Sequence, residues 1–181
     1  MRIGDILYFA PGIRFDQVDL NGTDLPQQFD CRIVGFYLEP ADRCAQHGFA
    51  FAAGVVIVSC IDALARVRFG GKVGTRFKKF VRNELPSFAP GNFADRFYDD
   101  FRNGLVHEAR IKNGGQFTLD ADQTVQSVNG LLLVNPQHLS AELRVWLASY
   151  VSSLTSNIAG RQKLAKKLGA DLAADFQAAT P

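Results

Sequence analysis

The stretch that most restricts the fold runs from Phe49 to Val67, where apolar residues follow one another almost without interruption. It is too long for a strand, and Gly70-Gly71 closes it as a helix end. A helix that is apolar nearly all round has to be surrounded by other elements. The stretch therefore predicts the central helix of a bundle. Phe49 to Ile61 is apolar enough to raise the question of a membrane span. Asp62 and the arginines that follow stop it short of the roughly 20 apolar residues a bilayer needs, and we expect no membrane association.

The remaining elements follow from periodicity and turn chemistry. Residues 1–22 read as an irregular arm, broken by Pro11-Gly12 and Asn21-Gly22, in which Ile6 to Phe9 is a short strand or an apolar tether. Residues 23–181 read as one domain. Asp24 and Pro26 open a helix whose apolar face is Phe29, Ile33, Phe36 and Tyr37, and Pro40 kinks or ends it. Thr75 to Leu85 is a basic amphipathic helix. After Asn92, the spacing of Phe93, Phe97, Phe101 and Leu105 marks another, with Gly104 inside it. A glycine there costs about 1 kcal/mol relative to alanine; close approach of a second backbone or of a phosphate is one reason to keep it, and drift is another. Gln116 to Leu119 and Leu131 to Val134 are short strands with Val125 to Val128 between them, predicting a small β-hairpin or meander at about 116–134, inserted after this helix. Gln137 to Asn157 carries a helical stripe through Leu139, Leu143, Trp146, Leu147, Tyr150, Val151 and Leu154, and 158–178 is a last, alanine-rich helix. The fold class is mainly α.

A net charge of +2 gives no global field for nucleic acid. The basic residues are nevertheless clustered: Arg66, Arg68, Lys72, Arg76, Lys78, Lys79 and Arg82 have no acidic residue between them. Such a run is either a solvated helix face or a surface for a phosphate backbone. Cys31, Cys44 and Cys60 are odd in number and unpaired in spacing, so they read as buried thiols of a reducing compartment. The N-terminus has no basic region followed by an apolar core, as a signal peptide would. No His, Cys or carboxylate cluster has metal-ligand spacing, and neither metal nor cofactor is expected.

The segment Tyr98 to Glu108 holds the chemistry. Arg102, Asn103 and His107 place a guanidinium, an amide and an imidazole on two successive turns. Asn103 and His107 stack, being four apart, while Arg102 and His107 are about 140° apart round an α-helix. The guanidinium fork suits a phosphate and the imidazole suits proton transfer near neutral pH. Phosphodiester cleavage needs both. The plainer alternative is a helix end, with His107 near the last carbonyls and Arg102 paired to Asp95 or Asp99. Asp62 is either solvent-exposed or paired with Arg66, four residues on, or it is turned toward this segment to orient Arg102 or His107.

Arg102-Asn103 followed by His107 resembles the signature of the HEPN superfamily, in which Arg, a polar residue and a later His lie on a late helix of an all-α bundle. Ser59-Cys60-Ile61-Asp62-Ala63-Leu64-Ala65 is similar to the family's early helix, which carries an acidic residue before Ala-Leu. The resemblance covers roughly residues 25 to 160. It implies a HEPN-like bundle and a cytoplasmic, metal-independent endoribonuclease acting as a homodimer. Arg102, Asn103 and His107 would be catalytic, Arg76, Lys78, Lys79 and Arg82 would hold RNA, and Asp62 and Tyr98 would support them. Active relatives belong to toxin–antitoxin or anti-phage systems, so an antitoxin or regulatory partner is implied too. Inactive members of the superfamily bind RNA, a nucleotide or a partner protein, and that is the alternative expectation.

Overall fold

The computed structural model describes residues 1–179; the last two residues of the expected 23–181 domain lie outside it. The protein is mainly α, with two small sheets. The chain divides into two compact units, one of Met1–Phe36 with the chain from Leu147 onward, the other of Tyr37–Trp146.

In the first unit, residues 1–14 do not form the irregular arm expected. They make an antiparallel sheet of β1 (Arg2–Ile3), β2 (Ile6–Ala10) and β3 (Ile13–Arg14), in the order β1-β2-β3. Two-residue strands carry no alternation to read, so only β2 was visible in the sequence. Phe9 and Phe15 are buried and meet edge to face at 5.6 Å, and Phe15 meets Phe176 at 5.0 Å. α1 (Leu25–Ile33) has Pro26 in its first turn, where a missing N–H does no harm, and buries Leu25, Phe29 and Ile33. The arginine Arg32 donates to the carbonyl of Phe9 and lies 5.1 Å over its ring. The alanine-rich end is two helices, α8 (Ile158–Asp171) and α9 (Ala173–Ala179), joined at Leu172. The Asn157 side chain caps α8 by accepting from the Gly160 N–H at 2.8 Å.

Between α1 and α2 (Glu39–Gln46) the helix does not end at Pro40. A π-helical stretch, Val34–Leu38, precedes the proline, which falls in the first turn of α2.

In the second unit, α3 (Ala50–Arg68) is the predicted central helix. It is long and apolar enough to cross a membrane, yet it buries Ile57, Val58, Cys60, Ile61, Leu64 and Ala65 within the protein. α2 and α4 (Val73–Glu84) pack on it. The helix beginning at Phe93 has three parts: α5 (Phe93–Arg96), a π-helical stretch (Phe97–Arg102) and α6 (Asn103–Glu108). The phenylalanine spacing explains this. A step of four residues overshoots an α-helical turn of 3.6. The wider π turn, bonded i to i+5, absorbs the overshoot and keeps both Phe97 and Phe101 fully buried. Their rings join a chain that includes Phe77, Phe88 and Phe117; each such side chain contributes about 1.5–3 kcal/mol by leaving water.

α6 ends at Ala109, held in the left-handed region at φ 53°. The chain then folds back, and a Cβ on Gly104 would run into the carbonyl oxygen of Arg110. The close neighbour that explains this glycine is thus the chain's own backbone. Asp100, only 3% exposed, anchors the same turn. Its carboxylate accepts from Asn113 Nδ2 at 2.6 Å and faces Arg96 at 3.5 Å, and its carbonyl accepts from the Lys112 N–H.

The inserted β element is present. β5 (Val125–Val128) and β6 (Leu131–Val134) form an antiparallel hairpin around Asn129-Gly130, and β4 (Gln116–Phe117) adds to β6 in parallel, giving the order β4-β6-β5. Both turn residues have positive φ, the pattern that Asn-Gly favours. Asn135 closes the insertion. Its Nδ2 donates to the carbonyls of Leu119 and Ala121, while its Oδ1 accepts from Gln137 and His138 N–H groups at the start of α7 (Pro136–Ser156).

Candidate functional site

The two sequence stretches that carried the resemblance meet in the second unit. Asp62 sits on α3, forty positions before Arg102, yet its Oδ2 accepts from Arg102 Nε at 3.2 Å and Nη2 at 2.8 Å. Arg102 closes the π-helical stretch. The extra residue in that turn rotates it relative to a regular α-helix, and π-bulges recur at functional sites. Its side chain is 13% exposed and that of Asp62 25%, so solvent screens the pair only in part. Arg102 Nη1 reaches Asn103 Oδ1 at 3.4 Å, and the guanidinium lies 5.9 Å from the Tyr98 ring centroid.

Of the two readings of Asp62, the one that turns it toward the motif helix describes the observed contact. The plainer pairing of Arg102 with Asp95 or Asp99 is not observed, because those carboxylates are taken by α4. Lys78 Nζ contacts Asp99 at 3.1 Å and Asp95 at 3.3 Å, and Arg82 contacts Asp95 at 2.6 Å. Burial disfavours the Lys78 ammonium, but its hydrogen bonds to Asp99 and Asp95 outweigh this and raise its pKa.

Arg76 also belongs to the cluster, with Nη2 3.9 Å from Asp62 Oδ1. Tyr98 is held close to α4 by Gly74, where a Cβ would stand 2.9 Å from the phenol oxygen. The Lys78 ammonium lies 5.1 Å over the Tyr98 ring. The structure thus gathers Asp62, Arg76, Tyr98, Arg102 and Asn103, with Lys78 at the margin. The basic run does lie beside the motif helix, but much of its charge is answered there or nearby. Arg68 pairs with Glu84 at 3.0 Å, Arg82 with Asp95, and Lys79 stands over the Phe69 ring at 4.7 Å.

His107 is on the last turn of α6, exposed, and among the described residues its side chain makes no hydrogen bond or ion pair. Among the described residues nothing links it to Arg102. Neighbouring Glu108 is engaged by Lys112 and by Arg110, the latter at 2.6 Å. The Lys112 hydrogen bond, with help from Arg110, holds its carboxyl below the ordinary value. Asp100 faces the post-helix turn rather than the guanidinium cluster.

Sequence reasoning did not single out Glu84. It accepts from Trp146 Nε1 at 2.7 Å as well as from Arg68, so the half-buried tryptophan of the α7 stripe is anchored by a polar contact. A carboxylate ending a basic amphipathic helix was the available signal. Among the described residues, no three or more His, Cys, Asp or Glu side chains gather as a metal site. Searches of protein-family models, characterised proteins and solved structures found no match to this chain.

Proposed function

We propose that the chain is a HEPN-type endoribonuclease that works as a homodimer without a metal. The observation that carries the reading is the Asp62–Arg102 pair. Two stretches singled out separately in the sequence meet through charge-assisted hydrogen bonds, and a guanidinium held at two nitrogens is oriented before any ligand arrives. Arg102 then binds the scissile phosphate, with Asn103 beside it. The RNA 2′-oxygen bonds to phosphorus, the 5′-oxygen leaves with a proton, and a cyclic phosphate remains. His107 moves those protons. Its lack of a partner among the described residues supports a site completed by a second copy, where an imidazole of one protomer meets the guanidinium of the other. The setting that goes with this reading is a cytoplasmic toxin–antitoxin or anti-phage system with an antitoxin or regulatory partner.

A second reading is a non-catalytic dimer that binds RNA, a nucleotide or a protein. What favours it is neutralisation: Arg102 is already answered by Asp62, and Lys78 and Arg82 by Asp95 and Asp99. Incubating purified protein with RNA in EDTA separates the two. The nuclease reading expects cleavage to cyclic-phosphate ends by wild type and none by His107→Ala or Arg102→Ala, with a dimer on sizing. Binding without cleavage, unaltered in His107→Ala, leaves the second reading in possession.

A further inference from the structure

Arg76 differs from Lys78 and Arg82 on the same helix. Lys78 and Arg82 each reach a carboxylate within hydrogen-bond distance. Arg76 does not. Its Nη2 stops 3.9 Å from Asp62 Oδ1, beyond hydrogen-bond reach, and its Nη1 donates only to the Gly71 carbonyl, at 3.3 Å. Among the described residues, Arg76 Nε is buried without a hydrogen-bond partner, and so is Asp62 Oδ1. Native proteins rarely leave such groups open, and each calls for an explanation. Asp62 Oδ2 is meanwhile fully engaged by Arg102. Two guanidiniums therefore share one carboxylate, and the trio keeps a net positive charge. Arg76 and Arg102 retain 16% and 13% exposure, so that charge is poorly screened yet open to a small ion.

The geometry points to Arg76 and Arg102 as a two-guanidinium receptor for a single phosphate group, with Asp62 as the positioning residue that holds Arg102. This deepens the phosphodiester reading above and rests on it. Arginine forks match phosphate oxygens in pairs. A phosphate bridging the part-exposed ends of the two forks balances the surplus charge. The repulsion it meets comes from the Asp62 carboxylate, whose Oδ2 is already covered by Arg102. Lys78, on the same helix, is committed to Asp95 and Asp99 and contributes no free cation.

The test titrates the full chain with inorganic phosphate against chloride at matched ionic strength, read by calorimetry and by thermal unfolding. Wild type is expected to bind phosphate specifically and to melt higher with it. Arg76→Gln and Arg102→Gln are each expected to weaken binding by about tenfold, the equivalent of one charge-assisted hydrogen bond. Lys166→Gln, an exposed residue of α8, is expected to change nothing. Arg76→Lys keeps the charge without the fork, so its affinity should fall between wild type and Arg76→Gln; it carries the test should Arg76→Gln not fold. A wild type that responds to phosphate no more than to chloride, or an Arg76 variant that binds as wild type does, overturns the receptor. Cleavage of RNA in EDTA is measured on the same proteins. Phosphate binding without cleavage by wild type sinks the nuclease reading and leaves the receptor standing. Undiminished cleavage by Arg76→Gln does the reverse.

Discussion

Gly104→Ala is the substitution for which local and tertiary reasoning give opposite signs. Inside an exposed helix, alanine is favoured over glycine by about 1 kcal/mol. Here the new Cβ would run into the Arg110 carbonyl oxygen and come within 3.2 Å of Lys112 Cγ. The obstacle is backbone, and it belongs to a turn that is tied down. The Gly104 carbonyl accepts from the N–H groups of Ala109 and Arg110, and the Lys112 N–H donates to the Asp100 carbonyl. Asn113 adds its hydrogen bond to the Asp100 carboxylate. Relieving the clash means shifting this turn as a body. Losing two or three of those bonds, at about 1 kcal/mol net each, outweighs the propensity gain. The expected result is a net loss of about 1–2 kcal/mol, within the usual range for overpacking.

Urea unfolding followed by circular dichroism measures this directly, as a lower midpoint at unchanged slope. The melting temperature should fall by about 2–8 °C. Gly70→Ala is the control, since nothing lies within 4 Å of a Cβ there and φ is not positive; it should be close to neutral. A Gly104→Ala protein as stable as wild type, or more so, would refute the tertiary argument. It would mean that the turn after α6 does not pack on the helix as described.

Asp62→Asn leaves two mostly buried guanidiniums without their carboxylate and should destabilise by about 1–3 kcal/mol in the same urea assay; no change would mean that solvent screens the pair. Burial pushes the Cys60 thiol up, so a thiol reagent should label the half-buried Cys31 and Cys44 in the native protein and reach Cys60 only in denaturant. Rapid native labelling of all three would contradict the packing of α3. The raised Lys78 pKa makes a stabilising contribution that is present below the ordinary lysine value of 10.5 and lost as pH rises through the folded value. Wild-type stability should therefore fall in that alkaline window with a slope that Lys78→Gln lacks. Equal slopes for the two proteins would count against the contacts with Asp95 and Asp99.

Much of the fold was legible because its elements are long and periodic. The apolar run from Phe49, the leucine stripe of α7 and the Asn-Gly turn of the hairpin each express a local rule that the tertiary structure does not override. What escaped was set by contacts distant in sequence. β1 and β3 are strands only because β2 lies between them. The parallel pairing of β4 with β6 depends on a crossover that no local pattern announces. The helix through Pro40 continues because a π turn precedes the proline, and the overshooting spacing of the phenylalanines was the one trace of the second π turn. At the site, residue types and spacing named Arg102, Asn103 and Asp62, but not the division that leaves His107 outside the cluster.

The basic run shows why a linear charge pattern is a poor guide to a surface. Between Arg66 and Arg82 the sequence holds no acid, yet four of those cations face carboxylates in the structure: Arg68 faces Glu84, Arg76 faces Asp62, and Lys78 and Arg82 face Asp95 and Asp99. Those four carboxylates match the four cations in charge. Arg102 is the fifth cation of this group, and it takes the best hydrogen bonds of Asp62 from Arg76. Within this set of five cations the surplus charge falls on one pair of guanidiniums, while Lys79 on the same helix stands over the Phe69 ring. A surface of free lysines attracts any polyanion, and salt readily screens it. A surplus confined to two part-buried forks selects for a group that can use both at once. The affinity of this protein for a phosphate should therefore depend on the identity of Arg76 and Arg102 much more than on the number of basic residues along the run.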